Sequence, residues 1–263
     1  PDIHGLGRAS LVLLAQSEQG YENLMKLGSK AWLDPEPGDL PHVPLDLLLR
    51  HGAGVIAMTG GPTGPLDRAL RLGRADVARK RLELLRPAFD KRLYVELQRH
   101  DTDEERAAEP QLIDMAYDMG LPLVASNESY FPARSDYEAH DALLCISDGT
   151  LVSAGDRRRL TREHRFKTRA EMIELFADLP EATDHSVEIA LRCSYRPLTR
   201  QPILPRFTTG GDASDAEAAE KAEAEELARQ AREGLKERLA KQGPAPGLFT
   251  ADYEERLDFE LSI

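Results

Sequence analysis

The sequence predicts an α/β domain followed by a helical appendage. Short apolar runs of strand length alternate with segments of helical spacing four times within residues 1–131. A hydrophobic content of 41% over 263 residues is enough to build a buried core. The residues from 213 onward are rich in Ala, Glu, Lys and Arg and contain no strand-like run. These observations favour a parallel sheet or barrel with helices outside it and a long helix after it.

The four predicted strands are short apolar runs bounded by Gly, Pro or polar residues, which is typical of buried strands. They are "SLVLLA" at 10–15, "AGVIAMTG" at 53–60, "RLYVELQRH" at 92–100 and "LPLVASN" at 121–127. The helices predicted beside them lie at 18–33, 45–51, 66–73, 75–89 and 103–120. Pro110 falls inside the last of these helices and predicts either a kink or a break.

After residue 131 helices follow one another without strands between them. The first is predicted at 134–149, with Ser135 as its cap. Thr168 and Glu171 have the spacing of a capping box. Pro180 occupies the first turn of the next helix. A proline-broken connector at 195–212 then leads into the long helix.

The net charge and the two cysteines limit the kinds of protein to which the chain can belong. The net charge of −12 excludes non-specific nucleic-acid binding by the chain as a whole, because such binding needs a basic footprint. Cys145 and Cys193 lie far apart and are predicted to be buried, reduced thiols. There is no signal peptide and no apolar run of spanning length, which predicts a cytoplasmic location and no membrane partner. Both ends look cut, so we expect a piece of a longer protein.

The segment "SNESY" at 126–130 is the first candidate site, because it follows a predicted strand and the carboxyl ends of strands are where α/β proteins build sites. Glu128 is a carboxylate that a divalent metal accepts, and Tyr130 is a donor suited to a phosphate. A metal needs three or four converging ligands, which this segment alone does not supply. An ordinary loop is the competing interpretation.

The second candidate is Glu96, in the middle of the third predicted strand. Strand alternation puts Glu96 and Gln98 on one face, with Arg99 and His100 at the strand end. A charged group there is costly unless it is paired. Glu96 is therefore either a ligand or acid/base residue in a barrel mouth or a buried carboxylate paired with an Arg from another strand.

The third candidate is the turn "TGGPTGPLDRAL" at 59–70, with Gly60, Gly61 and Gly64. A Gly-rich turn that enters a helix can bind an anion. The turn lacks the Lys–Ser/Thr pair of a phosphate-binding loop, so a tight strand-to-helix turn is the alternative. His140 on a helix is predicted to be a packed histidine, and the acidic run "HDTDEE" at 100–105 to be solvated charge.

Four segments together carry a resemblance to a known family. They are "SLVLLAQSEQGYENLMKLGSKAW", "YVELQRH", "GLPLVASNESYFPARSDYEAHDALLCISDG" and "HRFKTRAEMIELFADLPEATDHSVEIALRC". In order, spacing and character they resemble the N-terminal PHP (polymerase and histidinol phosphatase) domain of bacterial replicative DNA polymerase III alpha subunits, in an alphaproteobacterial variant. The closing "YEERLDFELSI" resembles the helix that enters the palm domain of that family.

The resemblance implies a distorted (β/α)7 barrel, incomplete at its N-terminus and followed by a helical extension leading to the palm. It divides the chain into a PHP domain at 1–207, which lacks its first strands, and a helical connector with the start of the palm region at 208–263. Members with an intact site hold a metal cluster with about nine ligands, the first of them in a His-x-His strand that lies upstream of this chain. The family has a His where this sequence has Ser10, and Asp-x-His where it has Glu128 and Tyr130.

These departures remove most of the imidazole needed to hold transition metals. Ser10, Glu96, His100, Glu128 and Tyr130 are thus expected to mark a vestigial metal site with no bound metal. No catalytic residue is expected in the chain, because the family's palm aspartates, which hold two Mg²⁺ ions for nucleotide addition, lie beyond Ile263.

The resemblance implies a scaffold domain of the replicative polymerase that docks the separate proofreading exonuclease subunit, among other holoenzyme subunits. DNA would be bound by the rest of the polymerase. The alternative is a metal-dependent phosphoesterase, either a 3′–5′ exonuclease or a pyrophosphatase, acting at the PHP site. A free-standing phosphatase of the same superfamily is disfavoured, because such enzymes need the missing ligands and do not continue into a palm helix.

Overall fold

A computed structural model describes residues 7–200, 202 and 216–263 of the chain. The chain divides into two compact units, 1–198 and 199–263. The domain boundary predicted at residue 207 and most of the predicted connector lie outside the described residues.

The first unit contains four strands, which all fall within the predicted runs. They are β1 (Val12–Ala15), β2 (Val55–Met58), β3 (Leu93–Gln98) and β4 (Leu123–Ser126). Its helices are α1 (Glu18–Leu33), α2 (Leu45–Arg50), α3 (Pro65–Arg71), α4 (Ala75–Phe89), α5 (Asp103–Met119), α6 (Tyr137–Asp148), α7 (Arg169–Leu175) and α8 (Pro180–Arg192).

The strands form one sheet in the order β1-β2-β3-β4. β2, β3 and β4 run parallel, as predicted, but β1 runs antiparallel to β2, so the expectation of a wholly parallel sheet is wrong at that edge. The register pairs Glu96 with Val124 and Gln98 with Ser126, which brings the carboxyl ends of β3 and β4 together. The described residues thus form an incomplete α/β barrel, which confirms the predicted fold class.

Buried strands and helices α4 and α5 make the core. All six residues of β3 are buried, and α4 covers the sheet with Leu82, Leu85 and Phe89. At about 25 cal/mol per Å² of apolar surface, each such side chain contributes about 2 kcal/mol to folding. Pro110 is predicted to cause either a kink or a break. α5 continues through Pro110 as one helix, so the break does not occur. It ends at Gly120, whose φ of 61° is the left-handed conformation that glycine adopts without strain.

Two predicted helix starts have different outcomes. Thr168 and Glu171 form the predicted capping box: the Thr168 hydroxyl accepts from the Glu171 amide at 3.3 Å, and Glu171 accepts from the Thr168 amide at 2.8 Å. Ser135 does not cap α6, because a 3-10 turn at Arg134–Asp136 precedes that helix. In that turn the Ala133 amide donates to the Asp136 carboxylate instead.

The described residues of the second unit form two helices, α9 (Ala216–Gln242) and α10 (Thr250–Ser262). Arg232 and Asp258 join them through an ion pair of 3.1 Å. Leu235, Leu239 and Leu257 line the cleft between them. Leu227, nearer the start of α9, is 63% exposed.

Two properties concern the whole described part of the chain. Cys145 is buried and Cys193 is partly buried, and both are free thiols, so the prediction of burial is fully met only at Cys145. Among the described residues, none of the helices has the length and apolar character required to span a bilayer.

Candidate functional site

Glu96 lies at the centre of the predicted site and is only 2% exposed. One carboxylate oxygen accepts from the Gly60 amide at 2.8 Å. The other accepts from the Ser126 hydroxyl at 2.5 Å and from the Gln98 side-chain amide at 3.1 Å. Three neutral donors therefore hold this carboxyl group, and the predicted partner, an Arg from another strand, is wrong.

Amides of the Gly-rich turn donate hydrogen bonds to other groups of the same chain. Gly60 has a φ of 83°, which favours glycine, and this conformation aims its N–H at Glu96. The Gly64 amide donates to the Gly61 carbonyl, and a Cβ on Gly61 would lie 2.5 Å from the Gln98 side chain. The sequence predicts that this turn either binds an anion or is a tight turn. In the structure its Gly60 amide binds the carboxyl group of Glu96, which belongs to the chain itself.

His100 is fully buried at the end of β3 and is oriented by Glu105. The ring Nδ1 lies 2.7 Å from one Glu105 oxygen, and the His100 amide donates to the other at 2.7 Å. Burial alone would raise the pKa of Glu105, but the hydrogen bonds from His100 lower it, so the group is a carboxylate and Nδ1–H is the donor. The prediction that the run at 100–105 is solvated is wrong for Glu105, which is 5% exposed.

A second histidine, His164, lies against the first. The two rings stack with centroids 4.1 Å apart and planes 15° apart. Thr161 joins them, since its hydroxyl donates to the His100 carbonyl at 2.5 Å and lies 3.0 Å from the Nδ1 of His164. Burial, with a smaller effect from the His100 ring, lowers the pKa of His164 to about 4, so the ring is neutral at pH 7.

At the end of β4, Glu128 and Tyr130 bind each other rather than converging on Glu96. The Tyr130 hydroxyl donates to Glu128 at 2.5 Å, and this hydrogen bond raises the pKa of Tyr130 to about 12. Tyr130 is 48% exposed, and its ring lies 5.8 Å from the His140 ring. His140 also contacts the Phe131 ring, at 5.3 Å, so it is a packed histidine, as predicted.

Asn127 and Lys167 complete the end of β4. Lys167 is 7% exposed, and burial lowers its pKa. Its ammonium donates to the Asn127 side-chain carbonyl at 3.0 Å and to the backbone carbonyl of Glu163. The Asn127 amide donates in turn to the Arg165 carbonyl at 2.9 Å.

Two further residues complete the surroundings. Ser10 is exposed, and its amide donates to the Thr63 carbonyl beside the Gly-rich turn. Asp67 in α3 is 3% exposed, and its Oδ2 has no hydrogen-bond partner. Burial raises the pKa of Asp67 to about 7, and the nearby Glu96 and Glu105 add to the rise.

The donor atoms present do not fit the metal cluster that the resemblance implies. Among the residues that the structure describes, His100 has the arrangement of a ligand, because its Nδ1 is held by a carboxylate and its buried Nε2 has no partner. Glu96 already accepts three hydrogen bonds, and Glu128 accepts one from Tyr130. Within residues 7–200, 202 and 216–263, no three His, Cys, Asp or Glu side chains are grouped to hold a metal ion.

The structure also identifies site residues that sequence reasoning missed. Thr161, His164 and Lys167 all contact the strand ends. All three come from the loop before α7, some 35 residues after β4 in the sequence. The basic run "REHRFK" at 162–167 gave no local signal, because the burial of its lysine and histidine is visible only in the structure.

The fold and this strand-end arrangement agree with a match to a family. Residues 4–100 match the family model described as PHP domain, so the first part of the chain is a PHP domain. That match includes β1 to β3 and the residues from Ser10 to His100.

Over nearly its whole length the chain is homologous to bacterial DNA polymerase III alpha subunits. It is 47% identical over 254 residues to the DNA polymerase III subunit alpha of Caulobacter vibrioides, covering 97% of this chain and 21% of that protein. It is 33% identical to the subunit of Rickettsia bellii and 32% identical to that of Escherichia coli K12, covering 97% and 100% of this chain and 22% of each relative. The chain thus spans about one fifth of the length of these relatives.

Proposed function

We propose that the chain is a scaffold domain in the alpha subunit of a bacterial replicative DNA polymerase, working in the cytoplasm. The observation that carries the proposal is the similarity to DNA polymerase III alpha subunits over 97% of the chain. In this proposal the parent protein adds deoxynucleotides to a primer with Mg²⁺, and the catalysis belongs to parts of the protein beyond this chain.

The strand ends support a non-catalytic role for the chain itself. Catalysis of phosphoester hydrolysis by a PHP site depends on metal-held water. Glu96 is occupied by three internal donors, and Tyr130 stands where the family has a histidine ligand. A carboxyl group with its hydrogen bonds already made loses them on binding a metal, which costs about 1–3 kcal/mol for each donor left unpaired.

The surface supports a docking role for a protein partner. Large apolar side chains are exposed on two helical faces of the first unit. On α1, Trp32 is 77% exposed and Leu33 80%; on α6, Ile146 is 78% exposed. Exposed apolar patches rimmed by polar residues mark protein interaction sites. The acidic charge of −12 favours a protein partner over a DNA backbone. We assign that partner as the proofreading exonuclease subunit.

A binding experiment tests the proposal. The full-length protein is titrated with the purified exonuclease subunit by isothermal calorimetry, and binding in the micromolar range or tighter is expected. Leu33→Asp and Ile146→Asp each place a charge on one face, and one of them is expected to weaken binding on the order of tenfold or more. Lys80→Asp, on the exposed side of α4, is the matched control. Unchanged affinity in both face variants contradicts docking through these faces, and no binding at all contradicts the partner.

One observation favours a second function, a metal-dependent phosphoesterase. His100 keeps the orientation of a metal ligand, with a free Nε2 and a carboxylate on Nδ1. That function predicts release of nucleotides from DNA 3′ ends, or of phosphate from pyrophosphate, in the presence of Mn²⁺. His100→Gln would abolish this activity while leaving DNA synthesis intact.

A further inference from the structure

The loop before α7 contacts the ends of β3 and β4. Within its residues 161–167, Arg162 and Phe166 are exposed, whereas His164 and Lys167 are buried. The two buried side chains are those that contact the strand ends.

Backbone hydrogen bonds hold this segment to the residues after β4. The Tyr130 amide donates to the His164 carbonyl at 2.9 Å, and the Phe166 amide donates to the Phe131 carbonyl at 2.9 Å. Phe131 and Arg165 form an isolated parallel bridge at the same place. The segment thus adds a short stretch of strand-like pairing next to β4.

Side chains hold the segment to the end of β3. Thr161 donates to the His100 carbonyl, and the His164 ring covers the His100 ring at 4.1 Å. His100 is fully buried, and its Nε2 has no partner. The segment therefore lies against the His100 ring, whose Nε2 has no hydrogen-bond partner among the described residues.

Lys167 joins this segment to the residue that follows β4. Its buried ammonium bridges Asn127, just after β4, to the backbone of Glu163 within the segment. A buried ammonium is stable as a charged group only while it is hydrogen-bonded. The two hydrogen bonds of Lys167 therefore keep the segment in contact with the end of β4. Removal of the Lys167 ammonium would remove both hydrogen bonds and leave the residues of the sheet unchanged.

We propose that residues 161–167 form a gate over the end of β3, held closed by Lys167, which opens as a local unit and controls access to the His100 imidazole. The proposal goes beyond the scaffold function and does not depend on it. The closed gate would shield this imidazole from cations and electrophiles, and its opening would be the step that exposes the imidazole.

Chemical modification of histidines tests the gate in the full-length protein. Diethyl pyrocarbonate reacts with accessible imidazole nitrogens, and peptide mass spectrometry reads each histidine separately. His42, which is partly exposed, is the internal reference. With the gate closed, His100 is expected to react on the order of tenfold or more slowly than His42.

Variants distinguish a gate from ordinary loop packing. Lys167→Met is expected to raise the rate at His100 on the order of tenfold and leave His42 unchanged. Thr161→Val, which keeps the side-chain shape, is expected to raise it less, and Lys80→Met is the matched control with no effect. Amide exchange is expected to speed up at 127–131 and 161–167 and not within β3.

Three results would overturn the proposal. One is a wild-type His100 that reacts as fast as His42. Another is a Lys167→Met variant with an unchanged rate at His100. The third is acceleration of exchange throughout the domain in both Lys167→Met and Thr161→Val, which would show that the segment opens only with global unfolding.

Discussion

The end of β3 and the first turn of α3 each bury a carboxyl group, Glu96 at 2% exposed and Asp67 at 3%. Glu96 accepts hydrogen bonds from three neutral donors, whereas one oxygen of Asp67 has none. The pKa of Asp67 accordingly rises to about 7, with burial as the main cause. Two carboxyl groups that are almost equally buried thus differ in their hydrogen bonds, because three donors reach Glu96 and one oxygen of Asp67 has no partner.

The largest expected effect comes from breaking the better-held carboxyl group. Glu96→Leu leaves Gly60, Ser126 and Gln98 without their acceptor in a buried place. The free energy of unfolding should fall by on the order of 3–5 kcal/mol. Urea unfolding measures it, with the exposed Glu83→Leu as control. A loss equal to that of the control would contradict the role assigned to these donors.

Asp67 should respond to pH in a way that Asn does not. The folded pKa of about 7 lies above the ordinary value of 3.8, so the folded state keeps a proton that the unfolded chain releases. The stability contribution of Asp67 is therefore fully present below pH 3.8 and is lost as pH rises through 7. The loss is no more than about 4 kcal/mol, and structural relaxation reduces it.

Urea unfolding at pH 5 and pH 8 of the wild type and Asp67→Asn measures this dependence. The difference between the two proteins cancels the contributions of other groups. Asp67→Asn should gain stability relative to the wild type as pH rises from 5 to 8. A difference that does not change between these pH values would mean that Asp67 is ionised in the folded state throughout.

A smaller effect is expected from the cap that positions Glu105. Thr102 and Glu105 form a capping box at the start of α5, and Glu105 also holds His100. Thr102→Ala should cost about 1 kcal/mol of stability, because one helix N–H loses its acceptor. Ser135→Ala is the control, since that hydroxyl caps no helix. Thermal unfolding compares the two, and equal melting temperatures would contradict the box.

The sequence predicts local elements well and the site only in part. All four strands fall within apolar runs, since strand length and residue type are local properties. The shared face of Glu96 and Gln98 follows from alternation, and their hydrogen bond confirms it. The direction of β1 was missed, because strand pairing depends on the whole chain path rather than on a local pattern.

The partners of the site residues were harder to predict. Glu96 was expected to meet an Arg, but its donors come from a turn 36 residues earlier and a strand end 30 residues later. Lys167 and His164 reach the same place from a loop with no regular periodicity. Pairings of this kind are set by tertiary packing, which local propensity does not encode.

Metal content is the most direct test of our proposal that the strand ends hold internal hydrogen bonds and no metal. The full-length protein, purified without chelators, is analysed by mass spectrometry beside a variant carrying Ser10→His, Glu128→Asp and Tyr130→His, which introduces the ligands that the resemblance to the family implies. The account predicts less than about one-tenth of an equivalent of Zn, Mn or Fe in the wild type and more in the variant. One or more tightly held equivalents in the wild type would contradict it.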